Sequence, residues 1–372
     1  MSPTTATFRK TADTFTAALT LPQRYFVSPE IFAKERELIF SRQWVSAGHQ
    51  SQIAKAGDYL VQDVAGESLV IVRDQQGDAH GFYNVCRHRG TRLCEERSGH
   101  SAVIQCPYHA WTYGLDGRLV GAPQMDKVQG FDKADYSLHG IGLALWEGFI
   151  FVNLTHTPVP LSEVFAPLDR KFSHWNLPKL RPAKRIEYDV RANWKLIFEN
   201  YSECYHCPGV HPALQRLTPY DLAENDLCEG PFLGGFMPIT KGHSLTLTRN
   251  ACALPVGDMN GEDNDRVFYY SIFPNMLLSM HPDYVMVHQL WPQSPDRTLI
   301  VCDWFFHPEA FDRDDFHPED AVEFWDMTNK QDWHVCELSQ LGIASRAYQP
   351  GPYSPRESIP AAWDREYLRR LG

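Results

Sequence analysis

Cys86-Arg-His88 and Cys106-Pro-Tyr-His109, with seventeen residues between His88 and Cys106, constrain this chain more than any other feature. Each loop offers one thiolate and one imidazole. The four side chains can hold a tetrahedral zinc ion, or a [2Fe–2S] cluster with cysteines on one iron and histidines on the other. The order C-H then C-H differs from the C-C then H-H order of zinc fingers, which favours the cluster over a structural zinc ribbon. Neutral imidazole ligands raise the reduction potential of such a cluster. Their outer nitrogens can carry a proton or meet an electron acceptor.

The flanking residues sharpen this. CRHRG (Cys86–Gly90) followed by CPYHAWTYGLDG (Cys106–Gly117) resembles the Rieske signature. Around it, from Gly57 to Leu154, short β-type runs such as SLVIVRD and WEGFIFVNL alternate with Gly- and Asp-bearing turns. The pattern predicts a small antiparallel β domain carrying the cluster on two loops, over residues 45–158. Pro158, Pro160 and Pro167 mark its exit. Before it, Phe26–Trp44 reads as a helix with Ser28 as N-cap and Pro29 at the first position. Residues 1–44 are expected to form a helical segment packed on the following domain.

A length of 372 residues suggests about two domains. The net charge of −11 gives no reason to expect nucleic acid and would repel an anionic membrane surface. It weakly suits a cationic small molecule. The Thr-rich opening residues lack an apolar core, so no secretory signal is expected. No run of about eighteen apolar residues suggests a membrane span. A cytoplasmic protein with reduced thiols is the expectation. Cys94, Cys228, Cys252, Cys302 and Cys336 read as small core residues. Cys204 and Cys207 form a C-x-x-C, but no βαβ context supports a redox dithiol there.

Beyond about Arg185 strands and helices mix. Arg185–Val190, Val285–Trp291 and Arg297–Phe305 alternate and predict an antiparallel sheet. Trp194–Cys207 and Pro318–Gly342 read as helices, giving an α+β domain over residues 159–372 with helices covering one sheet face. The tail Pro350–Arg356 cannot be helical and is expected to run as a strap on the surface.

Within Asn193–Pro212, His206 and His211 are separated by four residues, Pro208-Gly209 among them. The helix should break there and return the second imidazole to the same metal. Two histidines and one carboxylate make the facial triad of mononuclear non-haem Fe(II) oxygenases, which leaves cis positions for O₂ and substrate. The carboxylate must come from elsewhere: Asp332 inside the late helix, with Asp326 and Glu337 as alternatives. Asn200 could hydrogen-bond near the open iron positions, and the role of Glu199 stays open.

With both motifs in this order, the chain resembles the terminal oxygenase (α-type) subunits of the Rieske non-haem iron oxygenases from Trp44 to about Arg356. That resemblance implies a helix-grip sheet in the catalytic domain, a cluster on Cys86, His88, Cys106 and His109, and Fe(II) on His206, His211 and Asp332. It implies a homotrimer in which the electron crosses a subunit boundary. An acidic residue three before the first iron histidine bridges a cluster histidine of the neighbouring subunit to an iron histidine. Here that residue is Glu203 in place of the usual Asp. Glu at this position is similar to the branch acting on choline, glycine betaine, carnitine and stachydrine. A carboxylate between two metal-bound imidazoles fixes their tautomers.

The expected reaction uses O₂ and NAD(P)H electrons delivered by a separate flavin/iron–sulfur reductase or ferredoxin. The chain has no nucleotide fingerprint of its own: GDMNG and the Gly-Gly of PFLGGF lack the G-x-G-x-x-G spacing. The expected substrate is a quaternary ammonium or betaine-like small molecule, N-demethylated or hydroxylated. Candidate aromatic faces for such a cation are Phe268, Tyr269, Tyr270, Trp291, Trp304 and Phe305. The same walls would hold an aromatic acid or hydrocarbon for hydroxylation or dihydroxylation. A non-catalytic Rieske electron carrier is the reading from another class, and the set His206, His211 and Asp332 argues against it.

Overall fold

The structure, a computed structural model, describes residues 7–258 and 261–372. Its contacts divide into two compact units. One comprises Arg36–Ala166; the other joins the residues up to Glu35 with Pro167–Gly372. The divisions fall at Glu35/Arg36 and Ala166/Pro167, several residues from the expected 44/45 and 158/159. The expected single helix over Phe26–Trp44 is broken into Arg24–Val27, Pro29–Glu35 and a π-helical turn Arg36–Phe40. Ser28 does cap the second piece, its Oγ accepting from the Ile31 N–H at 3.2 Å.

The Arg36–Ala166 unit is built from three antiparallel sheets. Glu67–Arg73 is one of two inner strands of the largest, lying between Asp58–Val64 and Ala79–Tyr83. Leu69, Val70, Ile71 and Val72 are all buried, so this strand is apolar on both faces. The hairpin before it turns through Ala65-Gly66, both at positive φ, the two-residue geometry that matches strand twist. Ile104–Gln105, Thr112–Tyr113 and Leu119–Gly121 form a smaller sheet. Its first two strands are joined by the loop that carries Cys106 and His109.

The other unit centres on an eight-stranded antiparallel sheet. Its strands are β1 (Arg9–Lys10), β2 (Arg181–Val190), β3 (Glu224–Leu227), β4 (Phe232–Pro238), β5 (Arg266–Ile272), β6 (Met276–Met280), β7 (Val285–Ser294) and β8 (Arg297–Phe306), in the order β1-β3-β4-β5-β6-β7-β8-β2. The helices that frame the site are α1 (Trp194–Tyr201), α2 (Cys207–Val210), α3 (Pro212–Leu217), α4 (Glu319–Ile343) and α5 (Ser358–Leu371). Directly paired residues share a face, so one face carries Gly235, Tyr269, Ser279, Met286, His288 and Cys302. Helical side chains dock on that face. Tyr201 bonds Ser279 at 2.9 Å, the residue after α1 bonds Ser271, and Asn329 of α4 meets His288.

α1 begins at Asn193, whose side chain accepts from the Lys195 N–H. It ends at Tyr201, not at Cys207. Pro208 and Pro212 each open a new short helix, so His206 and His211 stand at helix boundaries. Among the described residues no helix is long and apolar enough to cross a membrane.

Candidate metal centres

The two cysteine loops of the first unit close in the same way. Cys86 donates its N–H to the carbonyl of Thr91 at 2.8 Å, and Gly90 donates to the carbonyl of Cys86 at 3.0 Å. Cys106 donates to Trp111 at 2.8 Å, and Ala110 to Cys106 at 3.1 Å. The fourth residue after each cysteine has positive φ: Gly90 at 75° and Ala110 at 56°. Each loop is thus a knuckle that turns its cysteine inward. Both thiols are free and buried, and the rings of His88 and His109 lie 4.8 Å apart.

Nδ1 of His109 is buried with no hydrogen-bond partner, an orphan that a metal would satisfy. Trp111 stacks on His88 at 4.7 Å, and the Tyr113 hydroxyl lies 3.3 Å from the sulfur of Cys86. The donor set and the orphaned nitrogen fit a [2Fe–2S] cluster with mixed ligands.

In the second unit, ligand atoms of His206, His211 and Asp332 lie within 4.8 Å of one another. Asp332 turns one oxygen, Oδ1, to Nε2 of His211 at 2.7 Å and to Nε2 of His206 at 3.2 Å. The outer nitrogens are held from behind. Nδ1 of His206 faces Oε1 of Glu203 at 2.6 Å, and Nδ1 of His211 faces Oε1 of Gln331 at 2.7 Å. That is the second layer expected around metal-binding imidazoles, with both Nε2 atoms converging. Burial lowers the His206 pKa, but hydrogen bonds to Asp332 and Glu203 outweigh it and raise it to about 10. Burial likewise raises that of Asp332, and the two histidines more than reverse it. A divalent cation would take the place of the proton these groups hold.

The alternatives for the carboxylate are engaged elsewhere. Asp326 accepts from the Tyr188 hydroxyl and from Lys330, and Glu337 accepts from the backbone of Arg191. Glu203 lies beyond the end of α1, where its second oxygen accepts the N–H groups of Tyr205 and His206 and starts the next turn. Cys204 and Cys207, expected as reduced thiols, are joined as a disulfide; the C-x-x-C turn brings their Cα atoms to 5.0 Å.

A cavity of about 110 Å³ opens beside the triad. Asn200 lines it, as do Tyr201, Tyr269, His288, Trp325 and Gly234-Gly235 of β4. Of the six expected aromatics only Tyr269 does so. Phe268, Tyr270, Trp291 and Phe305 have the opposite strand parity and face away, while Trp304 shares the parity but packs elsewhere in the core. Glu199 is buried against Asp364 and does not line the cavity. Gln331, Tyr201 and His288 escaped the sequence reading; Gln331 was detectable only as the neighbour of a proposed ligand.

Residues 43–132 match the Rieske [2Fe-2S] domain, and residues 177–372 match the ring hydroxylating alpha subunit (catalytic domain). The chain is a Rieske-type ring-hydroxylating alpha subunit. Its cofactors are a Rieske cluster and a mononuclear iron, and this oxygenase family draws its electrons from a separate reductase. The oxygenase is 33% identical over 369 residues to the glycine betaine monooxygenase oxygenase subunit of Chromohalobacter salexigens, covering 90% of this chain and 81% of that protein. It is 28% identical over 338 residues to the carnitine monooxygenase oxygenase subunit of Acinetobacter baumannii, covering 89% and 87%. The crystal structure of the quaternary ammonium Rieske monooxygenase CntA with L-carnitine superposes with a TM-score of 0.78 at 26% identity, covering 97% of each chain.

Proposed function

We propose that this oxygenase uses O₂ and reductase-delivered electrons to oxidise a methylated quaternary ammonium compound, removing an N-methyl group or hydroxylating the substrate. Cys86, His88, Cys106 and His109 would hold the cluster, and His206, His211 and Asp332 the iron. When bound, the cluster supplies single electrons and the iron supplies the centre at which O₂ is reduced. The rest is the work of side chains. Glu203 and Gln331 fix the imidazole tautomers, and Tyr201, Tyr269 and Trp325 give the cavity aromatic walls.

The observation that carries the substrate class is the aromatic wall of the cavity beside the triad. Tyr201 and Tyr269 meet edge to face at 6.0 Å, and Tyr269 meets Trp325 at 6.4 Å. Such rings offer the π faces that attract a trimethylammonium head, each worth about 0.5–2 kcal/mol. The names of the relatives support the same class. In N-demethylation, O₂, two electrons and two protons convert one N–CH₃ to N–CH₂OH and water. The C–N bond then breaks, releasing formaldehyde and a proton and leaving the electron pair on nitrogen.

In this reading the oxygenase works as a homotrimer, with Glu203 linking His206 to a cluster histidine of a neighbouring copy. Its dependence on nicotinamide-derived electrons supports a cytoplasmic location. A single turnover tests the substrate class. Reduced, iron-loaded protein is mixed with O₂ and either methylated amines or aromatic acids, and formaldehyde from methylated amines alone is expected. A hydroxylated arene without formaldehyde would replace this proposal.

A further inference from the structure

Arg356 lines the same cavity as the metal triad. The tail was expected to be a surface strap, yet Tyr353 is buried and Pro355–Glu357 forms a tight 3₁₀ turn. The turn is fixed by a reciprocal cap: Glu357 accepts from the Ser354 N–H at 2.7 Å, and Ser354 Oγ accepts from the Arg356 N–H at 3.2 Å. Glu357, the adjacent carboxylate, is thereby engaged with backbone. The guanidinium itself rests 5.6 Å from the Tyr220 ring centre and donates one hydrogen bond, from Nη1 to the Asp221 carbonyl at 3.2 Å. Among the described residues no carboxylate forms an ion pair with it.

A guanidinium carries five N–H donors in a planar fork matched to a carboxylate. Held by a ring and a single carbonyl, Arg356 keeps most of that fork available. The cavity lining therefore has two chemically distinct parts. One is the rings of Tyr201, Tyr269 and Trp325, and the other is a fixed cation resting on Tyr220. A trimethylammonium head is repelled by the guanidinium and drawn to the π faces of the rings.

We infer that Arg356 is a specificity-determining residue that binds the carboxylate of the substrate, so that the compound oxidised is a betaine, a trimethylammonium cation with a carboxylate on a short carbon chain. This rests on the function proposed above and narrows it. Pairing of Arg356 with the carboxylate aims the N-methyl groups at His206, His211 and Asp332.

The experiment compares trimethylglycine with the alcohol of the same carbon skeleton as substrates of the reductase-coupled holoenzyme, reading formaldehyde release. The parent protein should prefer the carboxylate. In Arg356→Gln, KM for trimethylglycine should rise roughly ten- to hundredfold, the equivalent of about 1.5–3 kcal/mol for hydrogen bonds to a charged group, while kcat changes far less. The preference for the carboxylate over the alcohol should collapse by a similar factor, and Arg356→Lys should restore part of it. Iron content and melting temperature establish that the variants fold. An unchanged preference in Arg356→Gln, with both compounds still oxidised by the parent, would overturn the role of Arg356 alone. Formaldehyde from neither compound with the parent would overturn the proposed function, and this inference with it.

Discussion

Nδ1 of His211 donates to Oε1 of Gln331 at 2.7 Å, one residue before the carboxylate that meets Nε2 of the same ring. Adjacent residues of α4 thus hold both nitrogens of one imidazole. Gln331→Ala should weaken iron binding roughly ten- to hundredfold while the cluster absorbance stays unchanged. Gln331→Glu, which keeps an acceptor there, should retain the metal. Competition with an iron chelator reads both, and equal affinity in all three proteins would remove Gln331 from the site.

Asp332→Ala should lower iron from three atoms per chain to two, leaving the cluster spectrum intact. Asp326→Ala and Glu337→Ala should keep all three, because those carboxylates serve Tyr188 and the Arg191 backbone. Iron quantification against the cluster absorbance decides it.

Glu203 has one oxygen on His206 and the other on two backbone N–H groups. Glu203→Gln keeps the shape and removes the charge. Both metals should remain, while oxidation of the reduced cluster by O₂ and substrate slows by about tenfold or more. Stopped-flow absorbance follows the cluster directly; an unchanged rate would place the electron path elsewhere.

Glu199 of α1 and Asp364 of α5 are buried together. Burial raises both carboxyls, Asp364 to about 7 and Glu199 well above its ordinary range; Asp364 raises Glu199 further, while hydrogen bonds with Tyr353 and Glu199 hold Asp364 lower than burial alone would. The folded state therefore holds protons that the unfolded chain releases near its ordinary 3.8. Stability from Asp364 is full below about pH 4 and is lost as pH rises through about 7. Asp364→Asn cannot ionise, so its melting temperature should fall less between pH 5 and pH 8, by a margin of at least about 2 °C. Parallel curves would show that this carboxyl stays neutral or is compensated.

A Cβ on Gly235 would run into the Glu224 carbonyl of the neighbouring strand, whereas one on Gly342 in α4 meets nothing. Gly235→Ala should destabilise the fold by about 3 kcal/mol or so. Gly342→Ala should stabilise it by up to about 1 kcal/mol. Thermal melts of the two variants separate close backbone approach from a general effect of the extra methyl.

The candidate ligand sets were legible because their chemistry is local: cysteine and histidine two or three residues apart, and histidines five apart around a proline. Asp332 was also reachable, since a carboxylate inside a long helix can face back into the fold. The cavity wall was harder to read. Phe268, Tyr269 and Tyr270 are consecutive aromatics in one strand, and only sheet pairing says which of them faces the cavity of His206, His211 and Asp332. The early end of α1 depends on the Glu203 carboxylate, which satisfies the next turn's N–H groups better than continued helix would. Arg356 looked like one more charge in a proline-rich tail, and only the cap between Ser354 and Glu357 turns it into the cavity.

Near its N-terminus the chain runs beside the tail: Leu19 pairs with Pro352, and Tyr353 donates to the Ala18 carbonyl at 3.0 Å. Thr11 and Arg356, from these two stretches, both reach the cavity. Substitutions in either of these stretches thus reach the substrate rim and become kinetic variables in their own right. The same arrangement frees evolution, or an engineer, to retune selectivity by editing two short flanking segments while the metal ligands and the eight-stranded sheet stay untouched.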